Sequence, residues 1–380
     1  MNQPFNEKTV GKLRILVAPL DWGLGHATRC IPIIRELLAQ SCEVWLAGEG
    51  AQKQLLKTEF PELPFIDLSG YNIRYAKTKW GLAWKMIQQG PKMHRAIQHE
   101  HRWLKKAVKE HVFDAVISDN RYGLYHATIP CIFITHQLTI KSSIGRWIEK
   151  ILQKRNYHYI NRYTACWVPD LEGKDNLAVE LSHPSIKPSV PVHYIGFLSR
   201  FEKKGPIDYT GIERKNHLLI ILSGPEPQRT ILEEKMISDI SHFNGTATIV
   251  RGLPGSAFLI PSTNMIKIYN HLLADELSIE MQEAEYVIGR SGYSSVMDIA
   301  ALQKKSILIP TPGQTEQEYL GKSLMGKRMA VCILQKDFSL HSALSAAANF
   351  EYKIQCNSSG TLLAKTIKSF LYQLDKPALG

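Results

Sequence analysis

Each place in this sequence where side chains of catalytic type gather lies at the end of a short apolar run. The first is Asp21-Trp22-Gly23-Leu24-Gly25-His26-Ala27-Thr28-Arg29, directly after Arg14–Pro19. Two glycines let the backbone approach a ligand closely, and a helix opening here offers free N–H groups and positive potential to an anion. Gly23, Gly25 and Arg29 are accordingly the candidate acceptor or phosphate loop, and His26 carries the side chain most often used to move a proton near neutral pH. The string is not a dinucleotide fingerprint, because the third glycine would fall at Thr28. A tight turn with a capping histidine is the plain alternative. Ser118-Asp119-Asn120 and Thr135-His136-Gln137 end two further runs. Asp119 or His136 could take a proton from a hydroxyl or orient His26 to do so, and an Asx turn would equally explain Asp119.

The second half has its own set. Ser223-Gly224-Pro225-Glu226 ends one run, and Gly289-Arg290-Ser291-Gly292 ends another, with Tyr293, Ser294 and Ser295 opening a helix. Backbone N–H groups, a hydroxyl, an arginine and a helix dipole meeting there suit a diphosphate. Asp298, about two helical turns on, is placed to accept from ribose hydroxyls. In Pro310–Glu318 the side chains of Gln317 and Glu318 are candidates for holding sugar hydroxyls. Glycine turns with serine or threonine caps would look similar.

These segments need rigid elements to aim them. Short apolar runs alternate with helical periodicity in both halves, the pattern of βαβ units and parallel sheets. Strands are expected at Arg14–Pro19, Glu43–Ala47, Asp114–Ser118, Cys131–Thr135 and Thr164–Val168, with a helix over Thr78–Glu110 broken at Gly90-Pro91. Beyond Ser182–Lys215, rich in proline and read as a linker, strands are expected at His217–Leu222, Thr246–Val250, Met265–Tyr269, Tyr286–Gly289, Ser306–Pro310 and Ala330–Leu334. The expected fold is α/β, with two Rossmann-like domains facing across a cleft. Residues 1–195 would form the acceptor domain and 196–361 the donor domain. A C-terminal helix over 362–380 would pack back on the first domain.

Composition narrows the function. At 380 residues, 44% hydrophobic and 21% charged, the chain is globular and long enough for two domains of about 150–200 residues. No apolar run approaches the roughly 18–20 residues that span a bilayer. Met1–Gly11 lacks the apolar stretch of a signal peptide, so a cytoplasmic location is expected. Six scattered cysteines, without CxxC or histidine clusters at metal spacing, read as buried thiols.

The net charge of +11 is lopsided: the first 200 residues carry 27 Lys and Arg against 17 Asp and Glu. Trp80, Trp84 and Ile87 share a helix face inside the most basic stretch, and Arg146–Arg162 adds Trp147, Tyr157 and Tyr159. Both read as a peripheral contact with an anionic membrane at its inner face, or else as domain core with solvated lysines. A nucleic-acid partner would use the charge, yet no recognition module is present and the second-half motifs would be idle. Walker A, HExxH and Asp-X-Asp patterns are absent, so a metal-bridged diphosphate is not expected.

The Gly-Leu-Gly-His turn, Gly289-Arg290-Ser291-Gly292 with Asp298-Ile299-Ala300-Ala301, then Pro310 and Gln317-Glu318-Tyr319 together resemble GT-B glycosyltransferases. The likeness is to the group of the bacterial lipid-linked peptidoglycan N-acetylglucosaminyltransferase and the plant galactolipid synthases. It is carried by Ala284–Ala330 and is thin elsewhere. It implies inverting transfer without metal or cofactor, from a nucleotide-sugar donor, a UDP-sugar, to a hydroxyl acceptor that is lipid-linked in that group. Ser291 and Gly292 would then lie near the donor's phosphate-sugar region. Asp298 stands where that group usually has Glu for the ribose, and Glu318 where it has Gln beside Gln317. Ser223–Arg229 matches its other glycine loop loosely, with Pro225 and Pro227 in place of small residues. Gly25-His26-x-x-Arg29-Cys30 also resembles UDP-sugar hydrolases of this fold, in which the histidine activates water, so a hydrolase or epimerase acting on a UDP-sugar with water or no acceptor is the alternative.

Overall fold

The computed structural model describes residues 11–71, 79–142, 145–201, 213–354 and 360–375. Arg14–Pro19 is fully buried along its length and forms β1, an interior strand of a seven-stranded sheet. Its neighbours are β2 (Glu43–Gly48) and β3 (Phe65–Asp67) on one side. On the other lie β4 (Ala115–Asp119), β5 (Cys131–Ile134), β6 (Ala165–Val168) and β7 (Val192–Tyr194). Every pairing is parallel, in the order β3-β2-β1-β4-β5-β6-β7. Parallel strands covered on both faces must be apolar throughout, which is why the sequence reads there as unbroken hydrophobic runs.

The second sheet repeats the plan with β8 (Arg214–Ile221), β9 (Thr246–Val250), β10 (Ile266–Tyr269), β11 (Ala284–Gly289), β12 (Ser306–Leu308) and β13 (Val331–Cys332). Its order is β10-β9-β8-β11-β12-β13, again all parallel. Each sheet therefore reverses its winding once, between β1 and β4 and between β8 and β11. At such a switch point neighbouring loops diverge to opposite faces and open a crevice at the carboxyl ends of the strands. His26, Gly224 and Arg290 lie in the segments after β1, β8 and β11, and Asp119 closes β4.

Helices cover the sheets: α1 (Leu24–Ala39), α2 (Gly50–Glu59), α3 (Lys79–His111), α4 (Arg146–Ile160), α5 (Gln228–Ile240), α6 (Ala274–Glu283), α7 (Tyr293–Ala301), α8 (Thr315–Gly326), α9 (Leu340–Ala348) and α10 (Gly360–Asp375). The sheets part between Tyr194 and Arg214, and α10 crosses back to the first, where Phe370 meets Trp167 edge to face at 5.5 Å. One apolar cluster spans both halves, from Ile15, Val17 and Ile31 through Leu198 to Met297, Leu308 and Ile367.

Two expectations are corrected. The strand β7 lies inside the stretch read as linker; three residues are too few to show a period. The helix expected to break at Gly90-Pro91 continues as α3 with Pro91 inside it. Its far half is anchored by burial of Ile97, Leu104 and Ala107 and by Glu100, which is 1% exposed. Glu100 accepts from Tyr71 Oη at 2.7 Å, Arg121 at 2.8 Å and the Gly123 amide at 3.0 Å. Arg121 in turn donates to the Pro19 carbonyl at 2.7 Å, fixing the end of β1 from which the His26 loop departs. Such anchoring outweighs the roughly 3 kcal/mol an internal proline costs. The Trp80 and Trp84 side chains lie outside the described residues.

Two acids of the same helix should therefore differ sharply. Glu100→Ala leaves Arg121 buried and unpaired and should lower unfolding stability by about 3–5 kcal/mol. Glu110, paired with Lys106 across one exposed turn, should cost less than about 0.5 kcal/mol. Urea denaturation of the two variants measures both.

Candidate active site

Helix α1 opens at Leu24 behind Gly23, whose φ of 76° suits glycine. His26, Arg29 and Cys30 recur at i, i+3 and i+4 and so face the end of β4 together. There Asp119 is fully buried. Arg29, 2% exposed, grips it with both arms of its fork: Nε donates to Oδ2 at 2.8 Å and Nη2 to Oδ1. His26 Nδ1 lies 3.1 Å from Asp119 Oδ2 and 3.0 Å from Arg29 Nη2. An ionised carboxylate can only accept, so the contact with Asp119 assigns the ring proton to Nδ1; the second hydrogen of Arg29 Nη2 is the competing donor at the same nitrogen. The remaining guanidinium nitrogen donates to His136 Nδ1 at 3.1 Å.

Burial alone would raise the Asp119 carboxyl, but Arg29 and then His26 outweigh it and hold it down at about 2. Burial, then the Arg29 charge, pulls His26 below the ordinary histidine value, against the opposing pull of Asp119. At neutral pH the pair is thus a carboxylate and a neutral imidazole. The His26 side chain keeps 14% of its surface exposed, and its Nε2 makes no hydrogen bond among the described residues. Arg29, expected in a phosphate loop, sits beneath that loop as the counter-charge of Asp119.

Across the cleft, α7 begins behind Gly292 and points its first turn at α1. Ser294 Oγ donates to the Gly25 carbonyl at 2.7 Å, and a Cβ on Gly25 would stand 3.0 Å from that oxygen. The two helices approach so closely there that a side chain would press on Ser294. Ser291 Oγ donates to the Gln317 carbonyl at 2.8 Å. Gln317 Oε1 accepts from the Thr311 amide at 2.9 Å and Glu318 Oε1 from the Gly313 amide at 3.3 Å, so both side chains shape the Pro310–Thr315 loop. Asp298 departs most from expectation. Its carboxylate accepts from Ser199 Oγ at 2.9 Å and from Arg200 Nε at 2.9 Å, and so ties α7 to the segment leaving the first sheet.

Arg290 has an unusual environment. It is 1% exposed, and its Nη atoms donate to neutral oxygens only: the carbonyls of Ile309, Pro310 and Gln228 and the Gln335 amide oxygen. No carboxylate pairs with it among the described residues, and burial lowers its guanidinium to about 10. Its Nε and the Thr311 hydroxyl are buried without a partner. Both lie near the place a Cβ would take on Gly224, at 3.9 Å and 3.4 Å, where φ is +105°. A buried cation and hydroxyl converging on a glycine are arranged for an anionic or polar ligand atom.

The two sets meet through residues the sequence did not single out. Glu316, in the first turn of α8, accepts from His136 Nε2 at 2.7 Å and from the Gln137 side-chain amide. Tyr293 stacks on the His136 ring at 4.2 Å between centroids. Both histidine nitrogens are therefore engaged. The Nδ1 partner, Arg29, lies on α1 of the same half, whereas Glu316 and the stacked Tyr293 lie on helices of the other sheet, and only an acid in a helix's first turn hinted at Glu316.

Comparison with known proteins agrees with the resemblance read in the sequence. Residues 263–371 match the glycosyltransferase family 28 C-terminal domain, a stretch running from just before β10 into α10. Over 114 residues the chain is 32% identical to the UDP-N-acetylglucosamine–N-acetylmuramyl-(pentapeptide) pyrophosphoryl-undecaprenol N-acetylglucosamine transferase of Desulforudis audaxviator strain MP104C, a match covering 28% of this chain and 30% of that protein's length. Solved structures share the whole fold at low identity. The calicheamicin glycosyltransferase superposes with a TM-score of 0.60 at 10% identity, covering 96% of this chain and 100% of its own. The glycosyltransferase SnogD from Streptomyces nogalater gives 0.55 at 12% identity, covering 96% and 100%. A spinosyn rhamnosyltransferase bound to thymidine diphosphate gives 0.58 at 14% identity with the same coverage. The fold is the GT-B fold of glycosyltransferases.

The depressed Asp119 carboxyl has a consequence for acid stability. A group whose value falls on folding, here from 3.8 to about 2, stabilises the native state above the upper figure and loses that contribution as pH falls through the lower one. The stability gap between the wild type and Asp119→Asn should be widest above pH 4 and narrow by about 2 kcal/mol towards pH 2. Urea titrations across that range measure it.

Proposed function

We propose that this protein is an inverting glycosyltransferase that moves a sugar from a nucleotide-sugar donor, a UDP-sugar, to an acceptor hydroxyl without a metal. The observation that carries the reading is Arg290: a buried guanidinium with no carboxylate partner among the described residues, beside an unpartnered hydroxyl and a glycine at positive φ, across the cleft from a neutral His26. The donor diphosphate supplies the missing negative charge. Arg290 Nε, Thr311 Oγ1 and the N–H groups opening α7 receive it and stabilise the charge that grows as the nucleoside diphosphate leaves. Arg290 thereby does the neutralising that a metal would otherwise do.

His26 is the base. Asp119 has both oxygens occupied and His136 both nitrogens, whereas His26 holds a proton on Nδ1 and offers Nε2. As the acceptor oxygen attacks the anomeric carbon from the face opposite the leaving group, Nε2 takes its proton and the carbon–oxygen bond to the diphosphate breaks. Asp119 stabilises the imidazolium that results. The same geometry would serve water as acceptor, which would make the enzyme a hydrolase. A bulky acceptor is favoured by α4, whose outward face carries Trp147 at 62% and Ile151 at 57% exposure among exposed Arg146, Lys150, Lys154 and Arg155. Apolar anchors within a basic field suit the inner face of an anionic membrane and a lipid-linked acceptor.

Calorimetric titration with UDP, GDP, dTDP and CMP should show UDP binding most tightly, with Arg290→Ala weakening it at least about tenfold. His26→Ala should leave UDP affinity within about twofold and lower kcat by about 10²–10⁴. No binding of any nucleotide, or full turnover by His26→Ala, would overturn the assignment. UDP release without acceptor at the transfer rate would make it a hydrolase. Trp147→Ala with Ile151→Ala should abolish co-sedimentation with phosphatidylglycerol vesicles and leave UDP binding intact.

A further inference from the structure

The clasp between the two halves does more than hold them together. Glu316 is negative, so His136 Nε2 carries the proton in their 2.7 Å contact. His136 Nδ1 is then bare and accepts from Arg29 at 3.1 Å. Arg29, held from that side, keeps its other two donors on Asp119, at 2.8 Å from Nε to Oδ2. Asp119 Oδ2 is left to accept the Nδ1 proton of His26 at 3.1 Å. The carboxylates of Glu316 and Asp119 can only accept, which assigns the protons to His136 Nε2 and His26 Nδ1; the 3.0 Å approach of Arg29 Nη2 to His26 Nδ1 is the contact that would favour the other His26 tautomer if Arg29 shifted. The chain runs from the first turn of α8, on the donor side, to the nitrogen facing the acceptor. His136 and Glu316 are 180 residues apart and belong to different halves of the molecule, so their contact depends on how the halves meet.

We infer that Glu316 is a positioning residue: its contact with His136 on closure sets, through Arg29 and Asp119, the tautomer of His26 that leaves Nε2 open to accept a proton. This rests on the reading of His26 as the base. Tyr293 supports the same ring from its face, and Gln137 shares the Glu316 carboxylate, so His136 cannot swing away while the clasp is made. The arrangement would make the base competent when donor and acceptor sides are together and less so when the cleft is open, which disfavours loss of the sugar to water.

The test needs a readout that packing alone would not move. Long-range proton–nitrogen spectra of ¹⁵N-histidine-labelled protein report ring tautomers, assigned with His26→Gln and His136→Gln. The wild type should show His136 protonated on Nε2 and His26 on Nδ1. Glu316→Ala should populate both tautomers at both rings and lower kcat at least tenfold, with the donor KM changed less than twofold. Glu316→Gln, which still offers a carbonyl oxygen to His136, should recover most of both. Unchanged tautomers in Glu316→Ala would overturn the inference, as would a kcat within twofold of wild type. A purely mechanical clasp would instead raise both KM values and leave the rings alone. If the wild type turns over no nucleotide sugar, the functional reading fails, and the spectra still decide whether Glu316 sets the tautomers.

Discussion

The bidentate pair of Arg29 and Asp119 is the interaction on which the site depends. A carboxylate fully removed from water at the end of β4 is tolerable only because a guanidinium meets it with two parallel bonds. Once formed, the pair dictates its neighbours. It consumes the donors that would otherwise reach a ligand and pins the face of α1 that carries His26. It leaves one oxygen for an imidazole proton and one guanidinium nitrogen for His136. The electrostatics follow: the carboxyl is held acidic and the neighbouring imidazole stays neutral, the state a base requires.

The two buried arginines at the switch points make an instructive contrast. Arg29 is neutralised within the fold and orders it. Arg290, directly after β11 on the other side of the second sheet's switch point, is surrounded by carbonyl and amide oxygens and has no carboxylate partner among the described residues. A protein does not readily bury a cation in that state unless something outside the chain completes it. The first half thus supplies an orienting network and the second an electrostatic vacancy, and the short Ser294–Gly25 contact holds them face to face.

Much of this could be read along the chain. Parallel-sheet strands such as Arg14–Pro19 and Thr246–Val250 are covered on both faces, so they appear as unbroken apolar runs with polar residues at their carboxyl ends. That is why His26, Asp119, His136, Gly224 and Arg290 stand out along the chain as candidates for the proposed site. What was missed has equally physical causes. The strand β7 is shorter than a period can register. The helix α3 passes through Pro91 because Glu100 is locked to Arg121, a long-range fact no local pattern carries. Asp298 was read towards a ribose from its spacing, but spacing does not say which neighbour fills its oxygens first.

By itself the sequence determined which segments form strands, which ends of those strands carry chemistry, and the resemblance of Ala284–Ala330 to a donor-binding domain, because periodicity and turn residues act over a few positions. The partners were decided by tertiary structure alone. Whether Arg29 meets a phosphate or a carboxylate, whether His136 is free or clasped by Glu316, and whether Arg290 is paired depend on contacts between residues scores of positions apart. Such contacts arise only when the two sheets close on each other, and a hydrogen bond or a buried charge is defined by what surrounds it in space.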